Sequence, residues 1–407
     1  MEKQRIYMVI DMKCFFASVE CAERGLNPFE TNLVVTDASR GSGAICLAVS
    51  PKMKKLGVKN RCRIFEIPKN IEYISAMPRM KKYIEYAADI YEIYLQYIDK
   101  SDIHVYSIDE SFIDVTDYLK IYNNTPRAFA KMLIEEIATK KKIPATCGIG
   151  TNMYLAKIAL DITAKKSPDH ISYLDEELYK EQLWHHTPLT DFWQIGLGIA
   201  KRLNRRGIID MYDLAHYPEE LLYKEFGINA ELIIDHAWGK ESCLMKDIKN
   251  YKGQTKSVSS SQILFHDYEY ESAKLVIEEM VRNCSLDLIN RKVVTDSVNI
   301  LVGYAGEIGI NAKGHIKMTS KTNVANIIIP YVDKKFYEIT DKSKKIKRLG
   351  IEFSNVLDKS FENYDLFTDL SQVKKQAELG IVSNKIKSKF GKNAIIMGAD
   401  LQEDATT

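Results

Sequence analysis

No two cysteines in the sequence stand as a CxxC pair, and the seven present (Cys14, Cys21, Cys46, Cys62, Cys147, Cys243 and Cys284) are scattered and odd in number. Neither a zinc site nor a disulfide framework is indicated, and a reducing cytoplasm is the expected setting. Long apolar runs are missing as well: nothing approaches the roughly 18 consecutive apolar residues of a membrane span. The opening Met1–Arg5 is polar and the run after it stops at Asp11, so a secretory leader and membrane partners are not expected. Charge of one sign is lacking, with a net value of only +2, so overall balance names no partner. Phosphate-binding glycine loops are absent too, since there is no Walker A sequence and no complete GxGxxG. Gly41-Ser-Gly43, Gly148-Ile-Gly150 and Gly196-Leu-Gly198 are fragments only. A bound triphosphate would therefore be held by metal and basic side chains. Nothing favours Ser-His-Asp or Cys-His chemistry, and His185-His186 lies in a helical stretch without acidic companions.

What is present describes an ordinary α+β chain. Its 407 residues suggest about three domains at roughly 150 residues each. Arg5–Ile10 reads as a buried strand running into Asp11, Phe15–Arg24 as a helix ending at Gly25, and Leu33–Ala38 and Ala44–Val49 as short strands. Pro78–Tyr97 is a helix with tyrosines on its core face, and His104–Val115 is two strands around a tight turn at Asp109-Glu110. Pro126–Lys142 and Asn152–Ala164 read as helices flanking a strand at Ala145–Ile149. Asp175–Lys246 is purely helical, and the polar Asn250–Ser261 segment marks a linker. The next segment reads strand, helix (Ser272–Asn290), strand (Ser297–Ala305), strand (Ile316–Ser320), helix (Val332–Lys342), strand (Ile346–Phe353), the split βαβ order of a ferredoxin-like unit. From Asn311 to Arg348 ten Lys and Arg face three Asp and Glu, which fits either a phosphate-contacting surface or a solvated face.

Acidic pairs such as Glu135-Glu136, Glu219-Glu220 and Glu278-Glu279 fall on exposed helices. Asp109-Glu110 differs because it interrupts the apolar run Val105–Val115, where unpaired carboxylates are very costly. Asp11 ends the first apolar strand in the same way. Neighbouring strands would bring all three to one sheet end, an arrangement that suits magnesium. The alternative is that Asp11 and Asp109 are turn or cap residues.

Ile10-Asp-Met-Lys-Cys-Phe-Phe-Ala-Ser-Val-Glu20 and Tyr106-Ser-Ile-Asp-Glu-Ser-Phe112 together resemble the Y-family translesion DNA polymerases, most closely the UmuC-like branch of Gram-positive bacteria and mobile elements. The resemblance runs to about Phe367. It implies a right-hand polymerase with palm (1–27 and 75–167), small fingers (28–74), helical thumb (168–246), ferredoxin-like little finger (247–360) and a C-terminal tail (361–407). It further implies error-prone, template-directed synthesis in DNA repair, with primer-template DNA and deoxynucleoside triphosphates as substrates and two Mg2+ ions as cofactors.

By position, Asp11, Asp109 and Glu110 resemble the catalytic metal ligands, with the Met12 carbonyl as a further one. Phe16 resembles the steric gate against a ribose 2′-hydroxyl, and its neighbour Phe15 reads as core beside the nucleotide. In Ser50-Pro-Lys-Met-Lys54 the basic triphosphate position falls on Lys54, while Pro51 replaces the usual aromatic. Lys165 or Lys166 matches a second triphosphate lysine, with one extra residue in the intervening segment. Lys13 stands where an acidic residue is common. Ile195-Gly-Leu-Gly-Ile-Ala-Lys-Arg-Leu203 with Gly207-Ile208 resembles a DNA-gripping helix-hairpin-helix, naming Gly196, Gly198 and Lys201. The basic stretch adds Lys344, Lys345 and Lys347 as DNA contacts. Glu362-Asn-Tyr-Asp-Leu-Phe367 resembles a sliding-clamp peptide, with Tyr364, Leu366 and Phe367 as its apolar anchors. Two rival readings are a catalytically silent homologue acting at the clamp and a different palm-fold enzyme such as a nucleotidyl cyclase.

Overall fold

The computed structural model describes residues 4–251, 253, 256–306, 309, 311–366, 368–391, 393–402 and 404–406. It divides into two compact units, Met1–Tyr251 and Lys252–Thr407.

The first unit opens with β1 (Tyr7–Met12) and α1 (Phe15–Ala22), followed by β2 (Leu33–Val35), β3 (Ala48–Val49), α2 (Pro51–Lys55) and β4 (Ile74–Ala76). Then come α3 (Met80–Leu95), β5 (Ile103–Val105), β6 (Glu110–Asp114), α4 (Tyr118–Ile121), α5 (Pro126–Lys141), β7 (Ala145–Gly150), α6 (Met153–Ile158) and β8 (Ile171–Leu174). Helices α7 (Glu176–Leu183), α8 (Leu197–Asn204), α9 (Met211–His216), α10 (Glu219–Phe226), α11 (Asn229–Ala237) and α12 (Met245–Asn250) complete it. The main sheet has the order β5-β6-β1-β7-β8, so β1 is central. That position explains its unbroken apolar sequence. Met8, Ile10 and Met12 enter the core shared with α1, α3 and α5, while Tyr7 and Val9 pack on the other face with Met153, Ala156 and Leu160 of the α6 segment. β8 was not anticipated: Ile171–Leu174 is only four residues long and pairs in parallel with β7.

On the α6 face the two glycines of Gly148-Ile-Gly150 let helix backbone meet strand backbone. A Cβ on Gly148 would lie 2.1 Å from the Ala156 carbonyl oxygen, and one on Gly150 would lie 2.3 Å from the Ala156 nitrogen. This glycine fragment is thus a packing device. The small second sheet, ordered β3-β2-β4, forms its own core from Val34, Cys46, Val49, Met53, Val58 and Ile67. The histidines do have acidic companions, brought by folding: His185 pairs with Asp210 and His186 with Asp191, each at 2.9 Å.

The second unit contains β9 (Val258–Tyr268), α13 (Tyr270–Arg291), β10 (Val293–Tyr304), β11 (Asn311–Thr322), α14 (Ala325–Ile339), β12 (Ile346–Ser354), β13 (Leu357–Asp358) and α15 (Leu370–Phe390). Its sheet order is β11-β10-β12-β9, with every pair antiparallel. β12 separates β9 from β10, and β10 separates β11 from β12, so both βαβ units are split as the element order predicts. α14 begins seven residues before the expected Val332 because Pro330 is tolerated inside it, on the exposed side. The tail helix α15 lies against α13, where a Cβ on Gly380 would come within 2.6 Å of Ile289.

Candidate active site

The central strand delivers the first carboxylate. Asp11 on β1 is the direct cross-strand partner of Glu110 on β6 and of Thr146 on β7, so the three side chains stand in one row on one face. The Met12 amide donates to the Asp109 carbonyl at 2.9 Å, which fixes the Asp109-Glu110 turn against the strand end. Asp109 accepts from the Ser107 hydroxyl at 2.7 Å. Residues far apart in sequence therefore converge at one sheet end, as expected. Among the described residues, however, no three Asp, Glu, His or Cys side chains already close on a single point as a ligand set.

A buried lysine, not anticipated from the sequence, joins the row. Lys157 on α6, itself only 7% exposed, donates to Glu110 Oε2 at 2.9 Å and lies 2.8 Å from Oε1. It also pairs with Asp161 at 2.9 Å. The Oε1 approach lacks hydrogen-bond geometry, and that buried oxygen has no hydrogen-bond partner; nor does the buried Thr146 hydroxyl. Burial pushes the Asp11 carboxyl up to about 7: nearby Lys165 opposes the rise, and Asp109 and Glu110 add to it. Burial likewise raises Glu110, against the pull of Lys157. Burial works against the Lys157 charge, and Asp161 and Glu110 more than restore it. Asp11 and Glu110 are thus both raised by burial and by acidic neighbours.

A cleft of about 650 Å3 opens beside this row. Asp11, Met12, Asp109, Thr146 and Lys165 line its palm-side wall, and Lys54, Lys55 and Arg61 line the other. Phe15 reaches the cleft but is 2% exposed and belongs to the core, as expected. Phe16 is half-buried, lines the cleft and stacks on Tyr83 with ring centroids 4.4 Å apart. The Tyr83 hydroxyl donates to buried Glu20 at 2.9 Å, and Arg79 grips both Glu20 oxygens at 2.9 Å. Of the two alternative lysines, Lys165 lines the cleft and pairs with Asp161 at 2.9 Å, whereas Lys166 is not among the lining residues. The segment before these lysines contains a π-helical turn, Ala159–Thr163, whose end is marked by the Ala164 amide donating to Ala159.

The impB/mucB/samB family profile matches residues 10–161. The chain is 31% identical to a "DNA polymerase IV 2" of Bacillus subtilis (strain 168), covering 98% of this chain and 96% of that one. It is also 31% identical to the UvrX protein of the same organism, named for UV-damage repair, covering 96% of this chain and 92% of the relative. The chain belongs to the Y-family of DNA polymerases. A solved Y-family DNA polymerase chimera of Dbh and Dpo4 shares the fold, with a TM-score of 0.65 at 21% identity over 87% of this chain and 99% of the other.

Elsewhere in the polymerase the expected contact residues fare unequally. Gly196 precedes α8 and Gly198 lies within it. A Cβ on either would meet nothing within 4 Å, so packing does not demand glycine there. Lys201 is exposed on the same helix. In the second unit Lys345 pairs with Glu269, Lys347 with Asp267 at 3.2 Å, and Lys344 with Asp341 at 4.0 Å. In the clamp-like segment the Tyr364 hydroxyl is tied to Glu362 at 2.6 Å and to Thr322 at 3.0 Å, while Leu366 is 100% exposed. Phe367 lies outside the described residues. No helix among the described residues is long and apolar enough to cross a membrane.

Proposed function

We propose that this DNA polymerase extends primers across damaged templates, using the Asp11 row as its magnesium site and the adjoining cleft as its nucleotide site. The observation that carries the reading is the cross-strand pairing of Asp11 with Glu110, next to the Asp109 turn. The donor set fits the ion: carboxylate oxygens plus the Met12 carbonyl are hard ligands. Two Mg2+ ions held by Asp11, Met12, Asp109 and Glu110 would acidify the primer 3′-hydroxyl and neutralise the triphosphate and the departing pyrophosphate.

The chain's own residues do the rest. Lys54 and Lys165 approach the phosphates from opposite walls of the cleft. Phe16, braced by Tyr83, fills the space beside the sugar C2′ and so excludes a ribose hydroxyl. Lys157 holds Glu110 in place and neutralises it until metal arrives. The palm comprises 1–27 and 75–167, the fingers 28–74, the thumb 168–246, the little finger 247–360, and 361–407 forms the tail. The open backbone at Gly196 and Gly198, with Lys201, grips template phosphates without reading sequence. Lys344, Lys345 and Lys347 add to that grip, less strongly than their number suggests because each has an acidic neighbour. Leu366 and Phe367 reach a sliding clamp while Tyr364 anchors the peptide to β11. A relative named for UV-damage repair supports damaged templates as substrates.

Primer extension with Mg2+ on plain and ultraviolet-damaged templates tests the reading. Extension of both is expected. A purified, folded chain that binds primer-template yet never extends it would instead support the silent homologue.

A further inference from the structure

Lys13 follows Asp11 and Met12 into the same cleft, and its surroundings give it a use. Its backbone is held on both sides: its amide donates to the Pro144 carbonyl at 2.8 Å, and its carbonyl accepts from the Ser18 hydroxyl at 2.6 Å. The next residue, Cys14, is left-handed with φ 50°, which turns the chain into α1 and leaves the Lys13 side chain on the cleft. Its ammonium meets the imidazole of His170, 3.1 and 3.2 Å from the two ring nitrogens. It also lies 6.0 Å from the centre of the Phe29 ring, with Lys55 at 5.9 Å from the same ring.

Lys54 and Lys55 are its cationic neighbours in the cleft, and Asp11 lines the same cleft. Burial and Lys13 together keep His170 neutral, so the ring serves as an acceptor. Among the described residues none of Lys13, Lys54, Lys55 and Arg61 pairs with a carboxylate, although all four line the same cleft. Four cations that line one cleft without an ion-pair partner can draw an anionic ligand to it.

We propose that Lys13 is a further nucleotide-binding residue, one that His170 positions to grip the phosphates of the incoming triphosphate from the palm side. An ammonium has three donors, and His170 engages one. The other two remain for phosphate oxygens. The inference rests on the polymerase reading and deepens it.

The test compares wild type with Lys13→Met, Lys13→Arg and His170→Ala. Equilibrium affinity for deoxynucleoside tri- and diphosphates is measured on a dideoxy-terminated primer-template with Mg2+, alongside KM and kcat on an extendable primer. For Lys13→Met, loss of a charged hydrogen bond should weaken triphosphate binding and raise KM roughly ten- to hundred-fold. The loss should be smaller for the diphosphate, with kcat less affected and primer-template affinity unchanged. Lys13→Arg should retain most of the affinity, and His170→Ala should fall between. Should Lys13→Met fail to fold, Lys13→Gln replaces it, with the same expected loss. Triphosphate affinity within two-fold of wild type in a folded Lys13→Met or Lys13→Gln variant would overturn the assignment. If wild type itself extends no primer, the polymerase reading falls first, which separates the two failures.

Discussion

Asp11 in the first unit and Asp296 in the second are both enclosed, yet their acidities move in opposite directions. Burial raises Asp11 to about 7, with Asp109 and Glu110 adding to the rise. Asp296 is buried too, but Lys317 at 2.7 Å, Asn355 at 2.8 Å and Ser297 at 2.8 Å outweigh that burial and hold it at about 2. The cations follow a similar division. Among the described residues Lys13, Lys54, Lys55 and Arg61 of the cleft pair with no carboxylate, while Lys344, Lys345 and Lys347 have Asp341, Glu269 and Asp267 beside them. A charge satisfied within the fold serves stability; a charge left crowded or uncompensated is available to a ligand.

That contrast can be broken most sharply at Asp109. Asp109→Ala should lower primer extension by roughly a thousand-fold or more while primer-template affinity is retained; extension near wild type would remove the metal site from the first unit. Phe16→Ala comes next. Ribonucleotide discrimination should fall by about a hundred-fold, read from kcat/KM ratios for ribo- and deoxynucleotides. A variant as selective as wild type would show that the Phe16–Tyr83 stack is ordinary core packing.

The two aspartates themselves give a paired stability test with opposite signs. The raised Asp11 keeps a proton that the unfolded chain loses above about 3.8, so metal-free stability falls as pH rises from there toward 7. Asp11→Asn should therefore stabilise the metal-free protein above pH 7 by up to about 4 kcal/mol, while extension is lost. Asp296 behaves in reverse: its contribution is present above about pH 3.8 and lost as pH falls toward 2. Because Lys317 is well exposed, Asp296→Asn should cost only about 1–2 kcal/mol at pH 7 and nothing near pH 2. Urea unfolding across pH, with chelator present, reads both, and equal signs for the two substitutions would erase the distinction. The smallest effect belongs to the paired lysines. Reversing Lys344, Lys345 and Lys347 together should weaken primer-template binding about two- to five-fold at moderate salt. A far larger drop would mean that their acidic neighbours do not neutralise them.

Much of this arrangement was legible in the chain because it depends on local pattern. An apolar strand that stops at an acidic residue, and another broken by an acidic pair, each announce a carboxylate that needs a partner. Lys157 was not legible in this way. Its role requires α6 to rest directly on β7, which Gly148 and Gly150 permit by lacking a Cβ. The choice between Lys165 and Lys166 was settled only by which of the two lines the cleft. The partners of Lys345 and Lys347 come from β9 and the residues beside it, some 76 and 80 positions earlier in the chain for the Glu269 and Asp267 pairs, and charge counting along the sequence cannot see them.

The order of elements, the paired aromatic and acidic motifs and the family are properties of the sequence by itself, because periodicity and residue type fix them over a few neighbours. Which carboxylates crowd one another, which cations keep their charge for a ligand and which lysine enters the cleft were decided only by tertiary structure. The reason is that electrostatic energy depends on distance and burial through space, and those are set by residues remote along the chain.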